Sequence, residues 1–322
     1  MRAMQIRSHG ARLEPVTLPE PEPGPGEVLL SVRACGVNFA DTLMIAGTYQ
    51  EKPPLPLVPG LEVCGTVAAL GEGVASGAGG LALGQRVACY AGGGGFAEAL
   101  VAPAARCVPV PDAMPDEAVA GFLIAYGTSH VALAHRARLQ PGERLLVLGA
   151  AGGVGLTAVE LGALMGAEVI AVARGAEKLA LAAAAGARHL IDAEDDLRAR
   201  VKALGGADVV YDPVGGASFD AALRACNPEA RLLPLGFAGG KVPQIPANIL
   251  LVKNLTVFGL YWGGYVMRHP EVLRASLAAL FAWYEAGRLR PHVSDVLPLD
   301  EAEAALDLLR SRAATGKVVL RI

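Results

Sequence analysis

Cysteine is scarce and scattered in this chain of 322 residues. Cys35, Cys64, Cys89, Cys107 and Cys226 are odd in number and never form a C-x-x-C pair. That argues against a disulfide scaffold and against a C-x-x-C metal or redox motif, leaving buried thiols as the reading. No H-E-x-x-H occurs, and His130 and His135, five residues apart, fall on different faces of a helix. No metal site is expected.

Excess positive charge is missing too. With 28 Lys and Arg against 31 Asp and Glu, the net charge is −3, so no basic field advertises nucleic acid or an anionic membrane. Uninterrupted apolar runs stop short of transmembrane length; residues 118–134 come nearest and hold Gly, Tyr, Thr, Ser and His. No long apolar segment follows the charges of residues 1–7, so no signal peptide is expected. A soluble, cytoplasmic chain with a small-molecule partner is the expectation.

What the chain has in plenty is glycine, 40 in all. One stretch gives some of them chemistry. An apolar strand over 144–148 runs into Gly149-Ala150-Ala151-Gly152-Gly153-Val154-Gly155, and an apolar helix opens at about Val154. Gly152, Gly153 and Gly155 permit a tight turn and leave no Cβ between the backbone and a pyrophosphate, at which the helix points its unpaired N–H groups and positive dipole end. A second strand over 168–172 completes the βαβ unit that such a fingerprint requires.

The length suggests two domains, and a 53% hydrophobic content supplies their cores. Up to about residue 111 the pattern is short strands, at 27–33, 63–68, 85–90 and 96–101, punctuated by residues 19–26 and by glycines at 71–80 and 92–95. That reads as a β-barrel-like domain. An acidic first turn at 115–117 opens an apolar helix. Strands at 144–148, 168–172, 189–191, 208–211, 231–235 and 255–260 then alternate with helices such as 176–185 and 218–225, the rhythm of a doubly wound parallel sheet. The tail, with helices at 271–286 and 300–310 and strands at 293–297 and 317–320, breaks that rhythm and is expected to return to the first domain. The expected division is 1–117 with 261–322, and 118–260.

Five motifs occur together: Ala150-Ala151-Gly152-Gly153-Val154-Gly155, Gly36-Val37-Asn38-Phe39-Ala40-Asp41, Pro59-Gly60-Leu61-Glu62-Val63-Cys64-Gly65, Tyr126-Gly127-Thr128 and Tyr211-Asp212-Pro213-Val214-Gly215-Gly216. In this order they resemble the zinc-free quinone oxidoreductases, the zeta-crystallin-like branch of the medium-chain dehydrogenase/reductase superfamily. The resemblance implies an α/β fold, a GroES-like β-barrel catalytic domain joined to a Rossmann domain, with NADPH in the cleft and hydride passing to a quinone or similar acceptor.

Zinc-dependent relatives carry Cys and His where this chain looks to have Asn38 and Leu61, and neither replacement can ligate as a thiolate or an imidazole does. Glu62 remains, read as a structural hydrogen-bonding group. Without a Lewis acid an alcohol is hard to oxidise, whereas a conjugated carbonyl accepts hydride as a delocalised anion.

Asn38, Asp41 and Tyr49 are the candidate catalytic residues. Asn38 is expected to donate its amide to the acceptor oxygen or to hold the cofactor ribose; the alternative is that Asn38 and Asp41 cap the helix that follows. Tyr49 is read as stacking on a flat ring or as packing. The resemblance assigns Thr128 to the cofactor, against backbone back-bonding as the alternative. Arg174 and Lys178, after the second strand, suit the 2′-phosphate of NADPH where an NAD site carries a carboxylate. No tyrosine stands near Asp192-Ala193, where many relatives use one to clamp that phosphate, so the preference over NADH is expected to be weaker. Gly236, Phe237, Phe258 and Leu260 fall at strand ends where the resemblance places the nicotinamide, and Lys317 reaches the cofactor from the tail or opens an edge strand.

Two further functions stand beside quinone reduction: reduction of an enal or enone at its double bond, and nucleotide binding without turnover. A homodimer is expected from exposure of the 255–260 edge.

Overall fold

The computed structural model describes residues 1–75 and 80–322, so part of the glycine-rich stretch at 71–80 lies outside the described residues. Two units emerge. One comprises residues 1–124 and 291–322, the other residues 125–290.

In chain order the strands are β1 (Arg2–Gln5), β2 (Glu14–Thr17), β3 (Glu27–Val37), β4 (Glu62–Leu70), β5 (Arg86–Tyr90), β6 (Ala99–Pro103) and β7 (Cys107–Pro109). The second unit supplies β8 (Arg144–Leu148), β9 (Glu168–Ala173), β10 (His189–Asp192), β11 (Ala207–Asp212), β12 (Cys226–Pro234) and β13 (Thr256–Val257). The tail adds β14 (Val293–Pro298) and β15 (Lys317–Arg321).

The first unit is built on a seven-stranded sheet in the order β14-β15-β3-β4-β5-β7, with β6 also on β3. Strand β3 is its axis. Val28, Leu29 and Leu30 are buried, Ser31 and Arg33 are exposed on either side of the buried Val32, and the last four residues, Ala34 to Val37, are all buried between β4 and β15. The register then sets the site: Gly36 opposes Glu62, the first residue of β4, and Val37 opposes Val318, the second of β15. The end of β3 therefore lies between the beginnings of β4 and β15.

The second unit is a six-stranded parallel sheet in the order β10-β9-β8-β11-β12-β13. Its central strands are buried almost throughout, as in β8, where Leu145 to Leu148 are at most 1% exposed. Such continuous apolar strands need cover on both faces, which crossover helices supply.

Residues 261–290 depart from the expected division. They group with the parallel sheet, not with the first unit. Helix Pro270–Glu285 buries Leu273, Ser276, Leu277, Leu280 and Phe281, one helical face. Ser276 bonds His130 at 2.8 Å and Trp283 meets the His130 ring edge-on at 5.4 Å, so the helix is fastened within the second unit. A lost βαβ rhythm marked the end of the sheet and not the end of the unit.

Other differences are local. The helix expected from 115–117 is three pieces, Asp116–Ala120, Leu123–His130 and a π-helical turn Val131–Arg136. The strand expected at 255–260 pairs with β12 over only Thr256 and Val257. Helix Phe39–Ile45, opening directly after Asn38, was read from sequence only through its capping residues.

Candidate functional site

The candidate site residues fall into two groups, one in each unit. In the first unit, Asn38 and Asp41 hold the positions of a capping box at helix Phe39–Ile45. Both oxygens of the buried Asp41 are engaged by backbone: Oδ2 accepts the Asn38 N–H at 2.8 Å and Oδ1 the Gly60 N–H at 3.0 Å. Burial pushes the Asp41 carboxyl up to about 7, against the pull of those two N–H groups and of Lys317.

The Asn38 amide belongs to a different network. Its Oδ1 accepts from Lys317 Nζ at 2.7 Å, and its Nδ2 donates to Glu62 Oε1 at 3.1 Å and to the Gly36 carbonyl at 3.2 Å. Lys317 also donates to Glu62 Oε1 at 2.9 Å and to the Val37 carbonyl at 3.2 Å. Glu62 Oε2 accepts the Ile124 N–H at 2.9 Å. Asn38, Glu62 and Lys317 are 9%, 1% and 7% exposed, so this polar cluster is buried and mutually satisfied.

Small residues make room for it. A Cβ on Gly36 would lie 2.9 Å from Glu62 Oε1 and 2.2 Å from the Ala120 carbonyl, and one on Gly121 would lie 3.1 Å from the Lys317 stem. Sequence reasoning reached Asn38 and Lys317 separately and left Glu62 as a lone structural carboxylate; no spacing along the chain joins the three. Tyr49, half-buried, follows the same helix, its N–H on the Leu43 carbonyl at 3.2 Å.

A zinc ion does not suit these donors. Leu61 is apolar and Asn38 an amide, while Glu62 already carries an ammonium. The nearby Cys35 donates to the Glu62 carbonyl at 3.1 Å, and burial holds its thiol well above the usual range, protonated. Among the described residues no group of three or more His, Cys, Asp and Glu is placed to hold a metal.

In the second unit, β8 ends in a turn at Gly149, whose φ of 61° favours glycine. Helix Gly153–Leu164 follows, with Gly152 as its N-cap and no side-chain cap on its first turn. A Cβ on Gly155 would sit 2.1 Å from the Gly149 carbonyl, so glycine is required there by packing. At Gly152 a Cβ would meet only that carbonyl, at 3.5 Å. Packing thus leaves Gly152 free to vary, and a ligand passing close to the backbone is what would demand it. The open first turn, with the N–H groups of Gly153, Val154 and Gly155, fits a pyrophosphate.

Residues unnoticed in the sequence brace this turn from behind. Ser129 Oγ donates to the Val154 carbonyl at 3.0 Å and lies 2.8 Å from both Thr157 Oγ1 and Tyr211 Oη. Thr157 reaches the Ala125 and Val154 carbonyls at 3.1 and 3.0 Å. Burial raises the Tyr211 phenol, opposed by Ser129. Ser129 and Thr157 carried no signal, being single hydroxyls on apolar helices. Thr128, one residue before, has no hydrogen-bond partner for its hydroxyl among the described residues, which removes back-bonding as its explanation. Gly127 beside it is covered by the Trp262 ring, 2.8 Å from where a Cβ would stand.

The remaining cofactor candidates lie at the carboxyl ends of the parallel strands. Arg174 is exposed after β9, and Lys178 is half-buried on the following helix. Asp192, ending β10, accepts the Gly175 N–H at 2.9 Å and that of Glu194 at 3.0 Å. These hydrogen bonds hold its carboxyl below the usual range, with Arg174 adding to the effect. Gly236 and the 41% exposed Phe237 follow β12, and their loop bonds back to the β11 end through Ala238 N–H on the Pro213 carbonyl. Asp212 anchors that end, accepting the Val214 and Gly215 N–H groups; burial raises its carboxyl against them. Phe258 lies under the Arg136 guanidinium, 5.1 Å from its ring centre, and Leu260 is half-buried two residues on.

The architecture is that of a medium-chain dehydrogenase/reductase: residues 24–112 match the family described as alcohol dehydrogenase GroES-like domain, and residues 153–281 that described as zinc-binding dehydrogenase. A quinone oxidoreductase-like protein 2 homolog of Nematostella vectensis is 41% identical over 304 residues, 92% of this chain and 82% of that one. A mycobacterial protein solved as a complex with NADPH superimposes with a TM-score of 0.94 at 33% identity, covering all of both chains. The quinone oxidoreductase of Thermus thermophilus does so at 0.88 and 36%, again over both whole chains. The chain belongs to the zinc-free quinone oxidoreductase branch of the medium-chain dehydrogenase/reductase superfamily.

Proposed function

We propose that this chain is a zinc-independent enzyme that reduces a quinone, or a similar electron-poor carbonyl compound, with NADPH. The observation that carries the reading is the uncapped first turn of helix Gly153–Leu164, with a glycine at 152 that packing does not require. When bound, NADPH supplies a hydride, which suits an acceptor that takes it as a delocalised anion. The mycobacterial neighbour solved with NADPH supports the choice of dinucleotide.

The chain's own residues then bind and orient. Gly152, Gly153, Val154 and Gly155 are assigned to the pyrophosphate, Thr128 offers a hydroxyl to the dinucleotide, and Arg174 and Lys178 are assigned to the 2′-phosphate. Gly236, Phe237, Phe258 and Leu260 are assigned to framing the nicotinamide at the strand ends. Asn38 and Tyr49 are assigned to the reacting end. Asp41 fastens Asn38 and Gly60 by their N–H groups, a fixing role in place of proton transfer.

Absorbance at the reduced nicotinamide, followed with a quinone and with an unsaturated ketone, each in chelator and again with NADH, tests the reading. Acceptor-dependent oxidation that survives the chelator supports it, and faster turnover of the ketone favours double-bond reduction. NADPH binding without turnover of either acceptor would favour a nucleotide-binding protein instead.

The proposal extends to assembly and setting. Strand β13 is a two-residue edge, and the apolar Leu251 and Val252 beside it are 78% and 76% exposed. A second copy laid along that edge would cover both, as a homodimer. Five unpaired, buried thiols suit the cytoplasm, and no helix of the described residues is long and apolar enough to cross a membrane.

A further inference from the structure

We infer that Lys317 and Glu62 are positioning residues which lock the Asn38 amide in one orientation, so that Asn38 meets a ligand as a hydrogen-bond acceptor and never as a donor. The inference rests on the functional reading above only in assigning Asn38 to the reacting end.

Every donor of the cluster is already engaged. An ammonium has three N–H groups, and those of Lys317 face Asn38 Oδ1, Glu62 Oε1 and the Val37 carbonyl. None is left for a phosphate or a substrate oxygen. The Asn38 NH₂ has two, and they face Glu62 Oε1 and the Gly36 carbonyl. What remains is one lone pair on Oδ1, opposite the lone pair that Lys317 occupies.

The orientation is held by charge. Turning the amide over would point its NH₂ at an ammonium and its oxygen at a carboxylate, two repulsions in a site shielded from water. Glu62 is held against swinging away, because its Oε2 is tied to the Ile124 N–H. The pair therefore acts through Asn38. A ligand hydroxyl or N–H finds an acceptor there, and the carbonyl oxygen of a quinone or enone must find its donor elsewhere.

Two measurements on the full-length chain test this. In the first, Asn38 side-chain amide protons are followed by nitrogen-15 NMR, assigned with N38A, in the unliganded wild type and in E62Q/K317M, which removes both buried charges together. Exchange at least tenfold slower in the wild type is expected; equal exchange overturns the lock.

In the second, NADPH affinity and kcat with a quinone are compared for wild type, K317M, N38A and N38A/K317M. The expected result is an NADPH Kd within tenfold of wild type in K317M, a kcat lowered tenfold or more, and no further loss in the double variant beyond N38A. Affinity lost by tenfold or more, or losses that multiply in the double variant, would place the ammonium on a ligand and overturn the inference. Should K317M fail to fold, E62Q/K317M serves in the same comparison. If no acceptor supports turnover, the functional reading fails, while NMR exchange and NADPH affinity still decide the lock.

Discussion

Lys317 and Asn38 stand 279 positions apart in sequence and 2.7 Å apart in space, ammonium against amide oxygen. The contact exists because β15, arriving from the tail, pairs with the end of β3. It joins β15 to the segment that bears the candidate catalytic residues, and it occupies a cation that the sequence alone offers to the cofactor.

Asp41 gives the first unit a pH dependence with a definite sign. Its carboxyl titrates near 7 when folded, against about 3.9 in an unfolded chain. A group with a raised folded value contributes stability that is complete below the unfolded value and is lost as pH rises through the folded one. The Asp41 contribution should therefore decline between pH 4 and 7, by up to about 4 kcal/mol, and level off above. Urea midpoints taken across that range should fall less in D41N than in wild type; parallel slopes would refute the assignment.

The two glycines of the turn after β8, assigned above to the pyrophosphate, should separate packing from binding. G155A drives a methyl into the Gly149 carbonyl and should destabilise by several kcal/mol, on the scale of other overpacked sites. G152A meets nothing closer than 3.5 Å and should melt within about 1 kcal/mol of wild type. Its NADPH affinity should nevertheless fall at least tenfold. Melting curves and fluorescence titration on both variants check this, and unchanged affinity in G152A would remove the ligand from that turn.

Asp192 places a carboxylate beside Arg174 and thereby opposes a 2′-phosphate. D192N should raise the ratio of kcat/KM for NADPH over NADH by about fivefold, the scale of one screened surface charge. R174A should lower the same ratio. A ratio indifferent to both substitutions would move the 2′-phosphate away from this loop.

The edge at β13 makes an assembly prediction. Light scattering after size exclusion should report twice the chain mass at micromolar concentration, and L251D/V252D should report the single mass, because two carboxylates would be buried in the contact. A wild-type monomer would end the proposal.

How much of this was legible beforehand depends on how far apart the partners lie in sequence. The phosphate turn, the parallel strands and helix Pro270–Glu285 come from local rules, apolar periodicity and glycine spacing, and all were readable in order along the chain. The unit to which that helix belongs was not, because the partners that fasten it, His130 above all, lie far upstream. Thr128 was singled out by resemblance, whereas its neighbour Ser129, which braces the turn together with Thr157 and Tyr211, was not, since buried hydroxyl networks leave no period to read.

The sequence by itself determined the two-part α/β architecture, the dinucleotide turn and the poor ligand set that Asn38 and Leu61 offer zinc. Only the tertiary structure decided which partners Asn38, Glu62 and Lys317 bond. Their roles are set by which lone pairs and N–H groups remain after three strand ends meet, and that remainder is a property of the register between β3, β4 and β15 and of no single segment.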